Sequence, residues 1–417
     1  MLTSRSRLSV IFFTVFIDLV GFGIVLPILP YYAQHFGARG LLFGMLVGAY
    51  SGMQFLATAV LGRLSDRVGR RPILLTTMVI NAAGYVLFAL AGSYRVLFVA
   101  RLVSGFAGGN ISAAQAYVAD VTTPAERSKG MGIVGAAFGL GFIVGPALGG
   151  LAAHYGGHLA PGLVAAGLSL LNFCSAYAIL PESLKQEHRV TRELFDFGHL
   201  TAALTHPRVA PLMIAWGLIP LAFSGYTVAL PLYAAARFGW REKELGWFFT
   251  VVGITAAVVQ GYLFAKLSRR VGDRALVIAG TFAMAAAVAV VPYLDTAAAL
   301  YAWTIVLAFG NSVVSPAATG LISVFADPTE QGAMLGAAQS LAALGRLTGP
   351  ELVGITYDRL SSVWAFLVAG VVMTLAGVAT VRLPRGASHA AHAVDAETSA
   401  SPSRPREVHI LLAPTRS

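Results

Sequence analysis

The sequence predicts an all-α membrane protein in which twelve transmembrane helices form two pseudo-symmetric six-helix bundles. Three observations predict this fold: the composition, the number of long apolar runs and an internal repeat. Of the 417 residues, 57% are hydrophobic and only 12% are charged, whereas soluble proteins carry about 25% charged residues. Apolar composition sustained over successive segments of about 20 residues is typical of a chain that crosses a bilayer many times.

Twelve apolar runs are long enough to cross the hydrocarbon core, which takes about 20 helical residues. We call them spans 1 to 12 and predict them at residues 9–33, 41–62, 73–92, 95–119, 130–154, 161–180, 209–236, 244–267, 275–293, 296–325, 333–357 and 362–382. Span 1 is too long for a signal peptide and lacks a small-residue cleavage site, so we expect it to be retained.

The distribution of Lys and Arg predicts the orientation of the spans. If the N-terminus is cytoplasmic, the cytoplasmic segments hold 21 of these residues and the opposite loops hold 6. Cytoplasmic loops are enriched in Lys and Arg, so we expect both termini in the cytoplasm and the protein in a cell membrane, the inner membrane of a bacterium. The net charge of +10 is explained by the Lys and Arg residues that set this orientation. The sequence contains no stripe of basic residues with interleaved aromatics, so binding to nucleic acid is not indicated.

Four sequence patterns recur in the same order at an offset near 204 residues. LSDRVGRR (64–71) is matched by LSRRVGDR (267–274), and LGFIVGPALGG (140–150) is matched by LGRLTGPELVG (344–354). The other pairs are LPILPYYAQHFG with ALPLYAAARFG, and PAERSKGMG with PTEQGAMLG. A repeated six-span unit predicts a central interface between two bundles, where transporters place their substrate site.

The repeat also defines the predicted domains. Residues 1–180 form the N-terminal bundle and residues 209–383 the C-terminal bundle. The polar segment 181–208 is a cytoplasmic linker for which we expect a short amphipathic helix. Residues 384–417 lack the apolar content to pack and are predicted to be a disordered cytoplasmic tail.

The loop between spans 2 and 3 reads GRLSDRVGRRP (62–72). Its glycines allow close backbone approach and a tight turn. Its carboxylate is placed to cap a helix N-terminus on the opposite bundle or to pair across the interface. The arginines alone are equally explained by the positive-inside rule. The candidate residues are Gly62, Asp66, Arg67, Gly69, Arg70 and Arg71, with Asp120 at the end of span 4 as a second carboxylate within reach.

Span 5 contains GLGFIVGPALGG (139–150). Glycines at four-residue spacing permit tight helix contacts, and a proline within a helix removes a backbone donor and bends it. Either close packing alone or a bend that seals the outer half explains the pattern. The candidate residues are Gly141, Gly145, Pro146, Gly149 and Gly150.

Polar residues inside the spans indicate a functional site. Asp18 lies about 15 Å into span 1, where an acidic residue costs roughly 2.5–3.5 kcal/mol, so it is a candidate proton-relay or substrate residue. A structural polar contact with span 4 or span 11 is the alternative. Arg101 either reaches towards Asp18 or snorkels to the outer interface. Glu351 is either the partner of Arg346 or faces the outer vestibule. Six amides either line a wet cavity or bond between helices: Gln54, Asn110, Gln115, Gln260, Asn311 and Gln339.

Three of these motifs resemble those of a known family. GRLSDRVGRR resembles the span 2–3 motif of the major facilitator superfamily, RLVSGFAGG (101–109) its span 4 motif, and GLGFIVGPALGG the span 5 motif of its drug/proton antiporters. FIDLVGFGIVLPILPYY (16–32) is most similar to the tetracycline-resistance-like branch. The resemblance covers about 8–382. It implies a cytoplasmic gate, in which Asp66 and its arginines latch the bundles when the cavity opens outward.

The sequence therefore predicts a secondary active transporter, with proton-coupled efflux of a small lipophilic or drug-like compound as the leading hypothesis. Proton-coupled uptake of a small metabolite is the alternative, and an intramembrane receptor or enzyme is less favoured. No G-x-x-x-x-G-K-[ST] run is present, so we expect the proton gradient to supply the energy. We expect no catalytic residues, cofactor or metal site, and a monomer whose partners are cargo, protons and lipid. Spans 3 and 9 lack the acidic residues of known tetracycline exporters, so the sequence does not identify the transported compound or the proton stoichiometry.

Overall fold

The computed structural model describes residues 4–122, 127–183, 203–326 and 331–384. Its elements within these ranges are helical. Most of the predicted linker and nearly all of the predicted tail lie outside the described residues, so both remain predictions. We call the face at which span 1 begins the predicted cytoplasmic face and the opposite one the predicted outer face.

Ten described helical segments are long and apolar enough to cross a membrane. Two further helices, of 30 and 29 residues, occupy the places of spans 5 and 11. In span order, the helices are Ser4–Val25, Gly40–Val68, Arg70–Ala89, Tyr94–Gly108 with Ile111–Val121, Arg127–Gly156, Leu159–Ile179, Ala210–Phe238, Glu242–Val258 with Phe264–Val271, Asp273–Val290, Ala297–Phe325, Gln331–Arg359 and Ser362–Val381. The predicted all-α membrane fold is confirmed.

Three spans depart from a single straight helix. Span 1 ends at Val25, eight residues before its predicted end, and a short separate helix follows at Leu29–His35. Pro27 and Pro30 explain this break, because neither has the backbone N–H that a continuing helix needs. Span 4 is interrupted after Gly108, and span 8 contains a π-helical turn at Val259–Leu263.

The two bundles repeat the same packing. Span 5 packs on span 1 and span 3 on span 6, as span 11 packs on span 7 and span 9 on span 12. Between the bundles, span 2 packs against span 11 and span 5 against span 8. These two interfaces are equivalent under the repeat, because span 2 corresponds to span 8 and span 5 corresponds to span 11.

The loops that enter spans 3 and 9 show the repeat at atomic detail. Gly69 and Gly272 both have positive φ, at 113° and 83°, a conformation that only glycine adopts easily. Two residues later, Arg71 donates to the carbonyl oxygens of Leu180 and Tyr177 at the end of span 6. In the second half Arg274 donates to the end of span 12 in the same way.

Candidate functional site

A cavity of about 450 Å³ lies at the centre of the molecule, between the bundles. Its walls come from spans 1, 2, 4 and 5 on one side and spans 7, 8, 10 and 11 on the other. The volume lies within the range of pockets that bind drug-sized ligands. Aromatic residues from both bundles line it: Phe22, Phe43, Tyr50, Phe142, Trp216, Phe223, Tyr226, Phe248 and Phe249.

Two arginines, one from each bundle, line the same cavity. Arg101 is only 4% exposed, and its Nε donates to the carbonyl oxygen of Leu46 at 3.3 Å. Its guanidinium carbon lies 4.4 Å from the centre of the Tyr50 ring, a cation–π contact. Arg346 enters from span 11 on the opposite side. The cavity therefore combines aromatic walls with two cationic side chains.

Asp18 lines a separate pocket of about 60 Å³ inside the N-terminal bundle. Its carboxylate accepts hydrogen bonds from the amide of Asn110 at 2.8 Å and from that of Asn172 at 3.2 Å. Asn110 lies in the interruption of span 4, directly after Gly108 and Gly109, so the break in the helix positions its donor. Asp18 is thus held by neutral amides, and its hydrogen-bond partners do not include Arg101.

The Asp18 pocket and the central cavity share a wall. Phe22 and Tyr50 line both spaces, and their ring centres lie 4.9 Å apart. The guanidinium of Arg101 lies over the face of the Tyr50 ring. One side chain of span 2 therefore contacts the central cavity, its buried cation and the pocket of the intramembrane acid.

The bundles are in close contact in their predicted outer half. Three hydrogen bonds cross here: Tyr31 to the carbonyl of Trp240, the amide of Leu41 to Asp358, and Thr250 to the carbonyl of Ile143. Glycines bring the backbones together at the same level, and a Cβ built at Gly44 would lie 2.3 Å from the carbonyl oxygen of Pro350. These contacts close the predicted outer end of the central cavity.

Comparison with known proteins identifies the family. The family model of the Major Facilitator Superfamily matches residues 11–241 and 212–413, which together cover most of the chain. The chain belongs to the Major Facilitator Superfamily. This confirms the family predicted from the motifs, and with it a multi-pass membrane transporter rather than an enzyme.

Relatives of this facilitator include two resistance proteins. It is 32% identical over 389 residues to the tetracycline resistance protein, class C, of Escherichia coli, with 92% of this chain and 98% of that protein covered. It is 31% identical over 367 residues to multidrug resistance protein 2 of Bacillus subtilis (strain 168), with 86% and 90% covered. The crystal structure of the human organic anion transporter MFSD10 (TETRAN) superposes with a TM-score of 0.69 at 25% identity, covering 91% of this chain and 100% of that chain.

The span 5 motif of this facilitator lies at two helix interfaces. Gly141, Gly145 and Gly149 face span 1, and a Cβ built at Gly149 would lie 2.2 Å from the carbonyl oxygen of Ile24. Gly150 instead faces span 8, where a Cβ would lie 2.9 Å from the carbonyl oxygen of Glu242. The motif therefore serves packing within the bundle on one face and contact between bundles on the other.

Pro146 contributes to the second of these interfaces. Its missing N–H leaves the carbonyl of Phe142, four residues earlier, without its helical donor. Span 8 approaches this carbonyl closely, because a Cβ built at Gly253 would lie 2.7 Å from that oxygen. The carbonyl of Pro146 itself lies 2.7 Å from a Cβ built at Gly246. The proline thus lies where span 8 seals against span 5.

The loop between spans 2 and 3 forms its ion pairs within the N-terminal bundle. Arg70 is buried and pairs with both Asp66 and Asp120. Arg67 is exposed in the last turn of span 2, and a Cβ built at Gly62 would lie 3.3 Å from the hydroxyl of Ser112 on span 4. The outer end is closed here, and the latch is predicted for the opposite conformation, so it remains a hypothesis.

The structure distributes the candidate amides among different places. Gln260, Asn311 and Gln339 line the central cavity. Gln54 and Asn110 line the Asp18 pocket. Gln115 is exposed and belongs to neither lining. The cavity thus draws its described amides from the C-terminal bundle.

Glu351 lies apart from the cavity, at the interface of spans 2 and 11. A Cβ built at Gly48 would lie 2.3 Å from its Oε1, and its Oε2 is buried without a hydrogen-bond partner among the described residues. No ion pair joins it to Arg346 within the part of the chain that the structure describes. In this conformation Glu351 is therefore not the partner of Arg346.

Three residues of the site were missed by sequence reasoning. Tyr50 is one of many aromatic residues within the spans, and nothing in the sequence places it between two cavities. Asn172 is an isolated amide in the apolar span 6. A polar residue inside an apolar span indicates a functional candidate, so this residue could have been found from the sequence. Glu182 accepts from the backbone amides of Arg70 and Arg71 and so caps span 3 within its own bundle.

Proposed function

We propose that this chain exports a small lipophilic compound from the cytoplasm in exchange for protons. The cargo occupies the central cavity, and Asp18 carries the proton in the adjoining pocket. The observation that supports this most directly is the shared wall of Phe22 and Tyr50. A change in either space is transmitted to the other by one pair of side chains.

The exchange follows the alternating-access scheme. In the conformation described here the predicted outer end is closed, which we assign to the half of the cycle that loads cargo from the cytoplasm. Rocking the bundles separates span 2 from span 11 and span 5 from span 8, and so opens the cavity to the other side. Proton entry from outside then returns the molecule to its starting conformation.

Two further observations support export of a lipophilic compound. The cavity is lined by aromatic residues from both bundles, and the relatives named above include tetracycline and multidrug resistance proteins. Both termini are proposed to lie in the cytoplasm, in the inner membrane of a bacterium, and the transporting unit is proposed to be a monomer.

A substrate screen in proteoliposomes tests the proposal. The protein is reconstituted with an imposed pH gradient, and proton movement on addition of each compound is followed with an internal pH-sensitive dye. We expect Asp18→Asn to abolish proton movement coupled to cargo without reducing the amount of folded protein, because the amide cannot carry the proton. Full coupled transport by Asp18→Asn would exclude Asp18 from this role.

The same vesicles separate export from uptake. Antiport moves protons against the direction of the cargo, whereas uptake by symport moves both in the same direction. Protons that accompany the cargo into the vesicle would therefore favour the alternative function, proton-coupled uptake of a small metabolite.

A further inference from the structure

We infer that the cargo is an amphipathic organic anion, whose acidic group binds between Arg101 and Arg346 while its apolar body lies on the aromatic walls. This inference rests on the proposed function, because it assigns a chemical class to the compound in the central cavity. Four features of the described residues lead to it.

The first feature is the charge of the cavity wall. Of the 29 residues that line the cavity, two are arginines and none is Asp, Glu, Lys or His. The wall therefore carries two positive charges and no compensating carboxylate. A cationic drug or a metal–drug complex would meet two like charges there, whereas an anion would meet two opposite ones.

The second feature is the set of partners that the arginines have. Arg101 contacts a carbonyl oxygen and an aromatic ring, both neutral. For Arg346, the described residues provide neither a hydrogen-bond acceptor nor an ion-pair partner. Arg101 is buried and Arg346 is half-buried. Withdrawing a cation from water without a counter-charge is costly, and an anionic ligand supplies that counter-charge when it binds.

The third feature is the depth of the two side chains. Arg101 is bonded to Leu46 of span 2. Leu347, the neighbour of Arg346, packs on Gly48 and Gly52 of the same span. Six helical residues from 46 to 52 rise about 9 Å, so the two arginines are anchored within about 9 Å of each other in height, a separation that a drug-sized anion can span.

The fourth feature is that the arginines belong to different bundles. A guanidinium presents a planar set of donors that matches carboxylate, sulfonate and phosphate oxygens. An acidic group held by one arginine from each bundle joins the bundles through the cargo. Binding of the anion is thereby coupled to the relative position of the bundles, as alternating access requires.

A matched pair of probes tests the inference without any gradient. The probes are 1-anilinonaphthalene-8-sulfonate and N-phenyl-1-naphthylamine, which share their ring system and differ by the sulfonate. Binding to the full-length protein in nanodiscs is measured by energy transfer from tryptophan to the probe. The same measurement on Trp216→Phe, which removes the tryptophan that lines the cavity, shows how much of the signal comes from probe bound there. We expect the sulfonate probe to bind at least about tenfold more tightly, the effect of roughly one charge-assisted hydrogen bond.

Variants then assign this preference to the two side chains. Arg101→Gln and Arg346→Gln should each weaken binding of the sulfonate about tenfold and leave the neutral probe unchanged. Arg101→Lys keeps the charge and should retain most of the preference, which guards against misfolding of the glutamine variant. Arg95→Gln, on the same span but exposed at its end, is the matched control and should change neither affinity.

Three outcomes would overturn the inference. They are equal binding of the two probes, equal loss of both in the glutamine variants, and displacement of the sulfonate probe by inorganic sulfate at matched ionic strength. The last would show that the arginines hold a small inorganic anion. Because these are equilibrium measurements, they can fail while proton-coupled transport succeeds, and the proposed function can fail while the charge preference holds.

Discussion

At the scale of single residues, Tyr50 has the most connected position in the site. Its ring lies beneath the Arg101 guanidinium and packs against the Phe22 ring, and it lines both the central cavity and the Asp18 pocket. A barrier between a proton site and a cargo site must stay closed when the cargo is absent, because otherwise protons cross the membrane without moving any cargo. The aromatic ring is large enough to provide that barrier.

We predict that Tyr50→Ala uncouples the transporter. Removing the ring joins the two spaces, so protons should cross without cargo. Proton flux into cargo-free proteoliposomes, followed with an internal pH-sensitive dye, should exceed that of the wild type several-fold. Tyr50→Phe is the control, since it keeps the ring and its cation–π contact and should remain tight. An equally tight alanine variant would show that Tyr50 is not the barrier.

At the scale of helices, glycines perform two different tasks. Gly149 allows span 5 to pack on span 1 within one bundle, whereas Gly44 allows span 2 to meet span 11 across the bundle interface. The first contact is part of a rigid unit. The second has to form and break in each cycle, so added bulk there should affect conformation rather than folding.

We predict that Gly44→Ala shifts the molecule towards the outward-open conformation. The added Cβ would lie 2.3 Å from a backbone oxygen of Pro350, so the outer contact cannot close without moving a helix. The reporter is Ser51→Cys, which lines the cavity, in a Cys174→Ala background that removes the natural thiol. Labelling from outside by a membrane-impermeant maleimide should rise.

The control for this experiment is Gly92→Ala, because a Cβ at Gly92 meets nothing within 4 Å. Its labelling should equal that of the reporter background. Unchanged labelling of the Gly44→Ala variant would mean that spans 2 and 11 do not form the outer seal.

The repeated loop leads to a second prediction about helices. Arg71 and Arg274 each donate to two carbonyl oxygens at the end of a span, so Arg71→Met and Arg274→Met should cost similar stability. Both side chains are partly exposed, and we expect about 1 kcal/mol each. Thermal unfolding in detergent measures this, with Arg95→Met as the exposed control. A loss confined to one half would contradict equivalent roles.

At the scale of the whole molecule, the charge of the cargo determines how the membrane potential acts. If a monoanion leaves as one proton enters, two positive charges move inward per cycle. Each charge is worth about 2.3 kcal/mol per 100 mV. An exporter of this kind therefore draws on the potential as well as on the pH gradient.

We predict that transport responds strongly to the potential. In proteoliposomes with a potassium gradient and valinomycin, export of an anionic cargo should accelerate when the side corresponding to the cytoplasm is made negative. A rate that does not depend on the potential would indicate electroneutral movement of anion and proton together. That outcome would favour uptake over export.

The sequence alone determined the class of this protein. Long apolar runs require helices, because backbone groups in lipid must be bonded within their own segment. The spaced glycines, the repeated loop and the intramembrane Asp18 were all visible as residues. They were sufficient to predict a two-bundle transporter of the major facilitator type, which the family match confirms.

Only the tertiary structure decided which polar residues meet. Asp18 is half-buried and Arg101 is buried, and their small difference in predicted depth suggested that they form a pair. The break after Gly108 instead turns Asn110 towards Asp18, while Arg101 stacks on Tyr50. Spacing along a chain gives the depth of a side chain but not the direction in which it points, since that direction depends on helix rotation and packing.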